Sequence, residues 1–150
     1  MKFTHRLPWM LAAVLAIVAV VALTGSRAEA RPQDGPDAIV DRLAIVWTSG
    51  DPDVAHRVCL MYTHAAQRVG WAQDVTLVVW GPSARLLAAD KDLQAKIQQM
   101  KDDGVTVLAC IACANSYGVT EDLRAQGIEV KPMGKPLTEM LRDGYEVLTF

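Results

Sequence analysis

Val105-Thr106-Val107-Leu108-Ala109-Cys110-Ile111-Ala112-Cys113 is the stretch on which the reading of this chain turns. Its first five residues form a short, nearly continuous apolar run, the pattern of a strand buried on both faces. Cys110 closes that run. Cys113 follows one helical turn later and leads into Ala114-Asn115-Ser116-Tyr117-Gly118. The first turn of a helix carries unpaired N–H groups and a partial positive charge, and both favour thiolate over thiol. Sulfur chemistry is therefore the first functional expectation.

Strand and helix signals alternate on either side of this stretch. Leu43–Trp47, Val75–Trp80, Ile128–Val130 and Tyr145–Phe150 read as four further strands. Asp51 is a good N-cap, with Pro52 at the first helical position, for a helix running to about Val69 and ended by Gly70. Val54, Val58, Met61, Tyr62, Ala65 and Val69 share one stripe of that helix and are expected to be its buried face. His56, Leu60 and His64 fall on the opposite stripe, where an apolar Leu60 suggests a contact between subunits. The two histidines stand about 12 Å apart along the axis, too far to share one metal ion. Gly81-Pro82-Ser83 opens a short helix, and Asp90 caps another whose stripe is Leu93, Ile97 and Met100. A helix from about Ala112 breaks near Gly118, resumes at Thr120 and stops at Gly127; the last helix spans Pro136 to Arg142.

This alternation predicts an α/β domain of three layers, α/β/α, around a mainly parallel five-stranded sheet. In such sheets ligands bind at the carboxyl ends of the strands. Three loops are expected to meet there: Trp47 to Asp51, Trp80 to Ser83 and Cys110 to Asn115. Lys131 to Lys135 is a candidate fourth.

The chain has 150 residues, with 15 Lys+Arg and 17 Asp+Glu scattered rather than blocked. That pattern argues against a nucleic-acid footprint and against a polybasic membrane surface. Lys2 and Arg6 precede fourteen uninterrupted apolar residues, Met10 to Leu23, and Ala28-Glu29-Ala30 follows. This is the layout of a secretory signal, and it predicts cleavage after Ala30 and a periplasmic or secreted protein. The run falls short of the roughly 18 residues of a membrane span, so an uncleaved anchor is the alternative and no stable membrane partner is expected after cleavage. Residues 1–30 are thus assigned to the signal, 31–41 to a mobile polar lead-in and 42–150 to the domain. All three cysteines, Cys59, Cys110 and Cys113, lie beyond residue 30, too few for a disulfide scaffold. An odd number leaves one thiol free or paired with another chain. Walker loops, G-x-G-x-x-G, zinc spacing and a Ser-His-Asp order are all missing from the sequence, so neither cofactor nor metal is expected.

With these residues laid out, the chain resembles the DsrE/DsrF-like family, small parallel α/β proteins associated with sulfur relay and sulfur oxidation. The resemblance covers the region after the signal. It is most specific over Val105 to Val119 and Gly127 to Phe150, with Trp80-Gly81-Pro82-Ser83 similar to exported members. In relay members a cysteine ends the third strand nine residues before the valine of a Gly-Val pair. Cys110 stands nine before Val119 and so matches the sulfur-carrying position. Cys113 falls where those members often have alanine, so no role carries over to it. The resemblance also implies a homo-oligomer, trimer or hexamer, working with a sulfur donor or acceptor protein or a small sulfur compound. An export signal removes the tRNA-modifying and sulfite-reductase partners of the cytoplasmic members.

Cys110 is then a candidate persulfide carrier, against the alternative of a small buried hydrophobe. Cys113 is either a resolving thiol or core filler. Cys110-x-x-Cys113 also has thioredoxin-type spacing, without the Trp-Cys-Gly-Pro-Cys context and on the third strand rather than the first. Trp47 and Trp80 end the first two strands, either as core caps or as walls of a pocket beside Cys110. Ser49 and Asn115 are the polar candidates for binding from the neighbouring loops, while Asp51 and Ser83 read as helix-start residues and Cys59 as a packed thiol. Three functions follow: an exported sulfur carrier or sulfurtransferase, a non-catalytic binding module, or a thiol–disulfide protein.

Overall fold

In the computed structural model, which describes residues 38–150, the chain enters its first strand, β1, at Val40 and leaves it at Trp47. The expected signal, its cleavage point and most of the lead-in lie outside the described residues. The end of the lead-in is already tied down: the N–H groups of Ile39 and Val40 both donate to the Trp71 carbonyl, at 2.9 and 3.1 Å. A strand therefore begins before the apolar run does, because its first ladder bonds do not need buried side chains.

Asp51 caps the next segment as its sequence suggests, accepting from the N–H groups of Asp53 and Val54. Helix α1 (Pro52–Val54) passes into a π-helical turn, Ala55–Cys59, and then into α2 (Leu60–Val69). Gly70, at φ 78°, closes α2 in the left-handed conformation that glycine adopts most cheaply. Strand β2 (Ala72–Val79), helices α3 (Pro82–Ala89) and α4 (Lys91–Asp102), and strand β3 (Thr106–Cys110) follow. Then come α5 (Ile111–Tyr117), α6 (Thr120–Ala125), β4 (Glu129–Lys131), α7 (Gly134–Arg142) and β5 (Glu146–Thr149).

The five strands are all parallel, in the order β4-β3-β2-β1-β5. From β1 to β4 the chain steps in one direction across the sheet, and right-handed crossovers put α1 to α6 on one face. From β4 to β5 it crosses the whole sheet in the opposite direction, so the same handedness puts α7 on the other face. The packing follows this division. Ile45, Trp47, Leu77, Val79, Leu87, Leu93, Ile97, Met100 and Leu123 belong to the main core. Val78, Leu108, Cys110 and Met133 form a second cluster on the opposite face, with Trp80, Cys113 and Met140 packed against it. Among the described residues no helix is long and apolar enough to cross a membrane.

The face of the first helical segment differs from the one its periodicity implies. Leu60 is fully buried, whereas Met61 is 58% exposed and Val58 and Val69 are exposed with it. The π turn is the cause. In it the Leu60 N–H reaches back five residues to the Ala55 carbonyl, a wider turn that lets Cys59 and Leu60 both face inward. The buried stripe thus becomes Ala55, Cys59, Leu60, Thr63 and Ala66. Leu60 is a core residue, so the subunit contact inferred from it has no support in the fold. His64 is also buried, its ring held between Asp103 (Nε2 to Oδ2, 2.5 Å) and Lys96 (Nδ1 to Nζ, 2.6 Å). Cys59 is a packed thiol, as expected; burial pushes it up to about 12, only partly offset by its hydrogen bond with Thr63.

This register is open to a stability measurement. Leu60→Ala should cost about 2–5 kcal/mol, the usual range for emptying a fully buried leucine site. Met61→Ala, one position on, should stay within about 0.5 kcal/mol of the parent, as exposed positions do. Urea unfolding of both variants checks the pair, and the reverse order would rule out the π turn.

Candidate functional site

Strand β3 alternates its side chains between the two sides of the sheet. Val107 and Ala109 enter the main core, while Leu108 and Cys110 point to the opposite face. Cys110 keeps extended geometry, φ −74° and ψ 115°, and is at once the last residue of β3 and the N-cap of α5. Its partner across the ladder is Lys131, the last residue of β4. The connections leaving these two neighbouring strands part company: β3 continues over the main-core face into α5, and β4 over the other face into α7. Such a divergence opens a crevice at the carboxyl ends of the two strands, where open α/β sheets bind their ligands. Cys110 and Lys131 are its two terminal residues, and the Lys131 ammonium is paired with Glu129 at 3.0 Å.

Cys110 is 5% exposed. It belongs to the second cluster with Val78, Leu108 and Met133, against which Trp80, Met140 and Cys113 pack. Cys113, one turn along α5, is half-buried, and both thiols are free. The Cys113 sulfur lies close to the Gly81 N–H and to the Cys110 thiol, and both act on its proton. Burial above all pushes the Cys113 thiol up; the adjoining Cys110 sulfur adds to this, and the Gly81 N–H opposes it. Cys113 is thereby biased to keep its proton and to donate it.

The loops beneath the thiols are closely joined. Trp80 N–H donates to the Trp47 carbonyl at 3.0 Å, and the buried Ser83 hydroxyl donates to the same carbonyl at 2.6 Å. Gly81 has φ 69°, the left-handed region, which aims its N–H at the α5 side. Gly50 approaches Pro82 so nearly that a Cβ at residue 50 would stand 3.0 Å from the proline Cβ.

Of the residues singled out from the sequence, Cys110, Cys113 and Trp80 come together in this cluster. Trp47 does not join them. It is completely buried in the main core on the other side of the sheet, with its indole N–H unpartnered. The cause is parity: Trp47 ends β1 in step with Leu43 and Ile45, whereas Trp80 follows β2 in step with Val78. Ser49 shapes its own loop, its N–H donating to the Phe150 carbonyl at 3.2 Å and its hydroxyl accepting from Asp51 N–H at 3.1 Å. Asn115 is exposed on α5 and accepts from the Thr120 hydroxyl at 2.6 Å, bridging to α6. Met133, Met140, Gly81 and Lys131 were not singled out one by one. Lys131 and Met133 lie in the candidate fourth loop. Gly81 carried only the general signal of a glycine between strand and helix.

The comparisons with known proteins agree with this fold. No curated protein sequence matches the chain. Among solved structures, a conserved protein of unknown function from Bacteroides thetaiotaomicron is similar, with a TM-score of 0.70 and 34% sequence identity, over 73% of this chain and 95% of that one. The model of the DsrE/DsrF-like family matches residues 41–150, which is β1 almost from its start through β5. The chain therefore belongs to the DsrE/DsrF-like family, whose members are linked to sulfur relay.

Proposed function

We propose that this protein is an exported sulfur carrier or sulfurtransferase-like protein that holds sulfane sulfur as a persulfide on Cys110. The observation that carries this reading is the position of Cys110 at the divergence of β3 and β4, in contact with a second thiol and lined by soft, polarizable groups. A persulfide is less well solvated than a carboxylate or phosphate of similar size. Methionine, tryptophan and aliphatic side chains packed around it suit such a group. Cys113 and Trp80, which pack against the same cluster, are half-buried where Cys110 is buried.

Export rests on the sequence of residues 1–30, and processing after Ala30 would release a chain beginning at Arg31. Self-association into a trimer or hexamer rests on the family resemblance. It also gains a physical motive in Val58, Met61 and Val69, which stand exposed along α2 and the π turn before it. Light scattering on the processed chain at tens of micromolar should find more than one copy per particle; a clean monomer would remove this part of the proposal.

Brief treatment of the protein with a sulfane donor, quenched before the neighbouring thiol can react, should add about 32 Da to the peptide bearing Cys110, the mass of one sulfur. Cys110→Ser should abolish the adduct. Loading of Cys110→Ser at the parental rate would overturn the assignment. The titration of Cys113 offers a second check. Because burial and its neighbour raise Cys113, its alkylation rate should go on climbing with pH beyond the range where an ordinary thiol has levelled off. A plateau for Cys113 near pH 8 would contradict the geometry that keeps its proton in place.

A further inference from the structure

We propose that Cys113 is a resolving thiol, which discharges the sulfur held on Cys110 as hydrosulfide and leaves a Cys110–Cys113 disulfide. This deepens the carrier reading and rests on it: sulfur enters on Cys110, and Cys113 sets how long it stays.

The geometry points to this step before any chemistry is invoked. Cys110 is the extended N-cap of α5, and Cys113 is three residues on, in the first helical turn. Residues at that spacing lie side by side, with Cβ atoms about 5–6 Å apart in a regular helix, and an extended N-cap has the freedom to shorten that gap. A disulfide needs its Cβ atoms about 3.5–4.5 Å apart. Both cysteines pack in the same small cluster on that face of the sheet, and each is close enough to act on the other's proton. The other members of the cluster, Val78, Leu108, Trp80, Met133 and Met140, carry no thiol. The third cysteine, Cys59, belongs to the main core on the other side of the sheet and is out of reach.

The step balances without any outside oxidant. Cys113 first loses its proton to solvent. Its thiolate attacks the inner sulfur of the Cys110 persulfide, the Cys110 Sγ. A bond forms between the two cysteine sulfurs, the bond from Sγ to the outer sulfur breaks, and the electron pair leaves with the outer sulfur as HS⁻. The outer sulfur is reduced, and the electrons come from the two cysteine sulfurs, which end as a disulfide. An external dithiol reductant returns the pair to its resting form by exchange.

The protonation of Cys113 gives this reaction a clock. In the resting protein its thiol is raised by burial, is faced by Cys110 from β3, and lies close to the Gly81 N–H from the β2–α3 loop. Attack waits on deprotonation. Resolution therefore gains as the pH rises.

Inorganic polysulfide is a suitable probe, removed by desalting before intact-mass measurement and colorimetric assay of released sulfide. The parent should finish about 2 Da lighter than the dithiol form, with about one equivalent of sulfide released, as disulfide formation requires. Its release rate should rise about tenfold per pH unit below the Cys113 thiol's range. Cys113→Ser and Cys113→Ala should both keep the adduct of about 32 Da on Cys110 and release no sulfide. A parent that holds its adduct indefinitely, or Cys113 variants that release sulfide as fast as the parent, would overturn the resolving role while leaving the carrier reading intact. Cys113 variants that acquire no adduct at all would overturn the carrier reading, and the resolving role with it.

Discussion

The handedness of the β4-to-β5 crossover is the constraint from which the rest of this structure follows. β4 and β5 lie at opposite edges of the sheet, so the chain must return across all five strands in one connection. A right-handed return puts α7 alone on the face that the earlier helices leave bare. That helix brings Met133 and Met140 over Leu108 and Cys110. It also makes the chain leave β3 and β4 in opposite directions. The second cluster, the crevice and the seclusion of Cys110 are three results of one topological fact. Had the fourth connection followed the direction of the first three, Cys110 would have pointed at a bare sheet face.

Much of this was legible in the sequence, and what was not has specific causes. The strands announce themselves because both of their faces are covered, which leaves runs such as Leu43 to Trp47 with no polar interruption. The site was legible to the extent that Cys110 ends such a run and Cys113 follows it by one turn. Helix N-caps at Asp51 and Asp90 were legible because a short carboxylate satisfies the same orphan N–H groups wherever it occurs.

The inward face of the first helical segment was not legible. A single π turn rotates everything after it, and nothing in Ala55-His56-Arg57-Val58-Cys59 marks the extra residue. Leu60 consequently reads as a surface residue although it is core. Trp47 and Trp80 pose a second problem of the same kind. Each ends an apolar strand, and their separation onto opposite faces depends on where each strand starts counting. β1 gained its first rungs from Ile39 and Val40, which bond to Trp71 without being part of an apolar run. Met140 escaped notice for a third reason: α7 has no fully buried residue, so its apolar stripe is only half-covered.

Gly50 connects two of these features. Its bare Cα is what lets Pro82 sit against the first loop, and Pro82 is bonded directly to Gly81, whose N–H lies close to the Cys113 sulfur. The first loop thus works as a shim under the second. A methyl group at residue 50 would stand 3.0 Å from the proline Cβ, so one of the two loops would have to give by a few tenths of an ångström. The spacing of the loop that carries Gly81 is thus set from a residue whose own nearest neighbour is a proline, not a cysteine.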